Sequence, residues 1–105
     1  MDASKRQKLE AAGWRVGTTA DFLELTPEEI GIVEVKLALG DYIRQVRREH
    51  RWTQTQVANR IGSSQSRVAK MEAADPSVTI DLQMKSLFSL GKTTSDVCRA
   101  MARQA

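Results

Sequence analysis

QTQVANRIGSSQSRVAKME, residues Gln54 to Glu72, reads as two short helices joined by a sharp corner. Val57 and Ile61 stand four apart and Val68 and Met71 three apart, so each segment carries one apolar face. Ala58 is small enough to let the two helices approach closely. Gly62 supplies the corner, where positive φ is needed and glycine adopts it without steric penalty. Ser64, just beyond, can cap the second helix through its hydroxyl. The positions left on the outer face of that helix are Gln65, Ser66, Arg67 and Lys70, all hydrogen-bonding and none acidic.

Working outward, Thr53 and Gln56 form a T-x-x-Q capping box, while Trp52 and Val57 occupy the N′ and N4 positions of a hydrophobic staple. A plain helical hairpin in a small bundle would share any one of these signals. Capping box, small Ala58, corner glycine and a polar, basic second helix together specify a helix-turn-helix, a DNA-reading unit. Charge supports this independently. Residues 42–72 carry seven Arg or Lys against Glu49 and Glu72, a balance of +5, whereas residues 1–41 carry five basic against eight acidic, a balance of −3. A merely solvated helix face would intersperse the signs; a basic block on the reader points to a polyanion.

From Leu39, through LGDYIRQVRREHRWTQTQVANRIGSSQSRVAKME, to Leu90-Gly91, the chain resembles the Cro and lambda-repressor type of helix-turn-helix domain, the Xre family. Ile43, Arg44 and Arg47 match the I-R-x-x-R pattern of that family's first helix. Ser63 departs from it, since an apolar residue is more usual there. The resemblance implies an all-α fold, a compact bundle of about five helices whose third helix enters the major groove, as a homodimer on a two-fold operator. The domain would then run over residues 39–105, with residues 1–38 an N-terminal extension containing the start of a long helix. It also implies that Arg47 and Glu72 form a structural salt bridge between the first helix and the end of the reading helix. Gln54 would bond a phosphate and brace the next helix. The chain is similar, too, to Hig-type antitoxins, which repress their own operon and bind a ribonuclease toxin. A toxin partner is therefore the alternative expectation, and the first forty residues are the surface it would use. A coactivator bridging other factors to promoters is a third.

On double-stranded DNA the candidate contacts follow from side-chain chemistry. Gln65 can offer donor and acceptor together to adenine; Arg67 and Lys70 can donate to guanine O6 and N7; Ser66 is short enough to accept several bases. Gln54 and Ser64, with the amides at the helix start, would contact phosphate and set register. Arg44, Arg48 and Arg51 are weaker candidates for the backbone.

After the reader, AADPSV is a connection, because Pro76 cannot continue a helix. Thr79 caps a fourth helix with Asp81 in its first turn, and Ile80, Met84, Leu87 and Phe88 form an inward stripe. Gly91 ends it, and Thr93 with Asp96 opens a last helix through Val97, Ala100 and Met101. Upstream, Thr26-Pro27-Glu28-Glu29 is a helix start. One helix then runs from Pro27 to near Glu49, or it breaks at Gly40 with Asp41 as a new cap; the continuous helix is preferred. Trp14, Val16, Phe22, Leu23 and Leu25 either fold back on the bundle or form a docking arm.

A chain of 105 residues suffices for one modest core. No apolar run approaches a membrane span, and MDASKRQKLEAAG lacks the hydrophobic region of a secretory signal, so the cytoplasm is the expected location. Cys98 is the one cysteine and His50 the one histidine, which excludes an internal disulfide and a plausible metal site. Cys98 is expected to be a reduced, partly buried thiol, and His50 a favourable side chain at a helix C-terminus. No nucleophile-base pair, phosphate-cradling loop or paired carboxylates stand in an active-site context. Neither an enzyme nor a cofactor is expected.

Overall fold

Helix starts in this chain are marked by hydroxyls that take up amides left without a partner in the first turn. The computed structural model describes residues 25–104, and among these there are five helices: α1 Pro27–Glu49, α2 Gln54–Ile61, α3 Gln65–Glu72, α4 Ile80–Ser89 and α5 Thr94–Gln104. Thr26 accepts from the Glu29 amide, Ser64 from that of Arg67 and Thr79 from that of Leu82, each at 3.1 Å. At α2 the box is reciprocal, with Gln56 N donating to Thr53 Oγ1 at 3.1 Å and Thr53 N to Gln56 Oε1 at 2.8 Å. Thr93 and Asp96 repeat that arrangement ahead of α5.

Among the described residues there is no strand, and the fold is all-α. The long α1 is the spine, packed against α3, α4 and α5, while α2 packs chiefly on α3. Leu39, Ile43 and Val46 recur along one face of α1 and are fully buried. Val57 and Ala58 of α2, Val68 and Met71 of α3, Leu87 of α4 and Val97 and Ala100 of α5 close the same core. Trp14, Val16, Phe22 and Leu23 lie outside the described residues.

α1 passes through Gly40 without a break, and Asp41 is not a cap. The glycine is there for proximity. A Cβ on Gly40 would stand 2.7 Å from the Met71 carbonyl oxygen and 2.8 Å from that of Glu72, so the end of α3 lies directly on the α1 backbone. Gly31 has no such reason, since among the described residues nothing lies within 4 Å of where its Cβ would be. Gly31→Ala is therefore expected to raise stability by about 1 kcal/mol through helix propensity. A denaturant midpoint that does not rise would contradict this.

Four helix ends are followed by a residue at positive φ; those of α1, α3 and α4 close with the same pair of backbone bonds, whereas at α2 the amides of Gly62 and Ser63 both donate to the Ala58 carbonyl. Gly62 (φ 69°) and Gly91 (φ 90°) adopt the positive φ at α2 and α4, but Arg51 (φ 57°) and Ala74 (φ 55°) do so at α1 and α3. At α3 Asp75 N donates to Lys70 O at 2.9 Å and Ala74 N to Met71 O at 3.2 Å. The reading helix thus ends at Glu72, with Ala73 as its cap three residues before Pro76.

Two side chains differ from expectation. Phe88 is 44% exposed rather than part of the inward stripe, because the inner face of α4 is taken by Gln83, Ser86 and Leu87, and Phe88 lies round the helix from them. Apolar periodicity alone does not anticipate a buried glutamine. Cys98 is exposed rather than partly buried, since α5 turns Val97 and Ala100 inward.

Candidate nucleic-acid interface

Ser64 caps α3, so that helix starts immediately after the Gly62 corner and its outer face is the one the apolar period leaves over. Gln65, Ser66, Arg67 and Lys70 are all exposed. Among the described residues neither Arg67 nor Lys70 belongs to an ion pair, which leaves both cations available to a ligand. Ser64 spends a lone pair of its Oγ on the cap and keeps its hydroxyl proton.

Behind this face a polar chain runs from the surface into the fold. Gln65 Nε2 donates to Gln54 Oε1 at 2.7 Å, and Gln54 Nε2 leans on Glu72 Oε1 at 3.4 Å. Gln65 still has its carbonyl oxygen and a second amide hydrogen, the pair that adenine requires. At the inner end Arg47 grips Glu72 with two bonds, Nε to Oε2 at 2.6 Å and Nη2 to Oε1 at 2.9 Å. Its third nitrogen donates to the Trp52 carbonyl at 3.2 Å. These bonds to Glu72 hold the Arg47 guanidinium above its ordinary pKa. The Glu72 side chain is only 1% exposed, and the bidentate geometry is what makes its burial tolerable.

Arg44, read from sequence as a weak contact for DNA backbone, approaches Glu72 with Nε 3.5 Å from Oε1. Sequence reasoning also missed an aromatic stack at the entrance to α2. His50 lies on Trp52 with ring centroids 4.2 Å apart and planes 16° from parallel, and the Arg60 guanidinium sits 4.1 Å from a Trp52 ring centroid. The His50 Nδ1 is 2.9 Å from the Val46 carbonyl oxygen, at the end of α1. No motif foretells this stack; a tryptophan two residues after a histidine is a weak signal. Beyond α3 the Asp75 carboxylate accepts from the Ser77 hydroxyl at 2.6 Å and its amide at 2.9 Å. Those bonds hold the Asp75 carboxyl below the usual carboxylate range.

Residues 38–83 match a family model described as a helix-turn-helix domain. This segment is a helix-turn-helix domain. No curated protein and no solved structure gives a significant match to the chain. The helix-turn-helix domain takes in α2 and α3 whole, starts eleven residues into the span of α1 and ends within α4. It supports DNA binding, with the four polar residues of α3 as its outward face. No described helix is long and apolar enough to cross a membrane.

Proposed function

We propose that this chain is a sequence-specific, double-stranded DNA-binding transcriptional regulator of the Xre type. It acts as a repressor, reads an operator's major groove with Ser64–Glu72, and has no enzymatic activity. The observation that carries this reading is the outer face of α3: four polar tips, two of them cations outside any ion pair among the described residues, on a helix braced from behind by Gln54, Glu72 and Arg47. Bracing matters because a base contact discriminates only when the side chain arrives in register. Gln65 serves adenine, Arg67 and Lys70 guanine, and Ser66 several bases; Gln54 and Ser64 bind phosphate at the starts of α2 and α3.

Selection of bound duplexes from a random pool tests this. A homodimer of the domain would return a palindrome with half-sites about 34–36 Å apart. Gln65→Ala is expected to weaken binding to the selected site by about 1–3 kcal/mol and to relax preference at one position of each half-site. Unaltered affinity and preference would remove Gln65 from base contact. Binding that declines with salt but favours no sequence would reduce the protein to a nonspecific polyanion binder. Stable co-purification of a neighbouring gene product, neutralised as a ribonuclease, would instead make it an antitoxin with a toxin partner.

A further inference from the structure

The C-terminal end of α3 rests on bare backbone. The carbonyl oxygens of Met71 and Glu72 fill the space that a Cβ on Gly40 would need, and Gly40 is itself buried. The fully buried Gln83 of α4 donates Nε2 to Met71 O at 3.1 Å and to Lys36 O at 3.0 Å, tying α3 and α1 through one amide. Its Oε1 is buried with no hydrogen-bond partner. An apolar side chain would avoid the cost of that orphan oxygen but could not bridge the two carbonyls.

We infer that Gly40 and Gln83 are positioning residues for DNA reading, which together set the angle at which α3 presents Gln65, Ser66, Arg67 and Lys70 to a duplex. The inference rests on α3 being the reading helix. An eight-residue helix is only about 12 Å long, so a displacement at its end tilts the whole element. Hydrogen bonds to base edges weaken steeply with distance and angle, whereas attraction to phosphate tolerates such a shift. Disturbing the seat should therefore erode selectivity before it erodes affinity for DNA in general.

The experiment titrates the wild type, Gly40→Ala, Gln83→Leu and Gly31→Ala against the selected duplex and a scrambled one, with amide chemical shifts of residues 65–72 recorded for each protein. In Gly40→Ala the ratio of selected to scrambled affinity is expected to fall about tenfold, the worth of roughly one misaligned base contact, with scrambled binding little changed. The α3 amides should move, and Gly31→Ala should match the wild type in both readouts. Should Gly40→Ala fail to fold, Gln83→Leu carries the same test, because leucine keeps the volume and removes the bridge. An unchanged ratio in the folded variants, or an equal loss on both duplexes, overturns the inference. A wild type that prefers no duplex refutes α3 as a reader. The seat is then judged by the amides, and unmoved shifts in Gly40→Ala or Gln83→Leu overturn it separately.

Discussion

Replacing Arg47 with alanine is expected to lower the free energy of unfolding by about 3–5 kcal/mol, the range for breaking a buried ion pair by removing one partner. Glu72 would be stranded with a side chain only 1% exposed, and what remains near it is weak compensation: Arg44 Nε at 3.5 Å, from a side chain 39% exposed, and the Gln54 amide at 3.4 Å. The reciprocal change, Glu72→Ala, should be milder, because Arg47 is 17% exposed and keeps its bond to the Trp52 carbonyl. Replacing both together, as Arg47→Met with Glu72→Leu, should recover most of the loss, since no uncompensated charge is left inside. Urea unfolding of the three variants checks the order. An Arg47→Ala midpoint close to the wild type, or a double variant worse than either single one, would refute the account.

Met71→Ala should rank next, at about 2–5 kcal/mol, the range for truncating a buried methionine in a core that cannot fully collapse around the void. Met71 has no exposed surface, and its sulfur accepts the Ser86 hydroxyl at 3.3 Å. α3 is too short to hold itself together without that anchor. The loss should therefore appear first as reduced amide-exchange protection within residues 65–72, ahead of α1. Uniform loss across all helices would mean that Met71 contributes to the global fold without anchoring α3 in particular.

The helix-turn-helix was legible because its signals are local. The capping box at Thr53 and Gln56, the glycine at the corner and the three- and four-residue apolar spacings all act within a few residues of the structure they specify. The outward placement of Gln65, Ser66, Arg67 and Lys70 follows from the same period. Whatever depended on distant partners was not legible from the residues. Gln83 is buried where its amide donates to carbonyls of two other helices, and Phe88 lies round the helix from that inner face. The Arg47 and Glu72 pair spans 25 positions and was foreseen only through family resemblance. Arg51 and Ala74 end helices in a conformation that sequence signals assign to glycine, so neither end was marked by residue type. The persistence of α1 through Gly40 became intelligible only once the end of α3 was seen against it.

The run from Gln65 through Gln54 and Glu72 to Arg47 has a consequence for genetics. It joins an exposed tip to an interior charge without a gap, so alleles along it shade from altered recognition to lowered abundance. A reporter screen in cells would score both ends alike as loss of regulation, and mapping the hits would draw one continuous stripe. Immunoblotting each allele divides that stripe: full protein levels at Gln65, depleted levels at Arg47, and Gln54 between them.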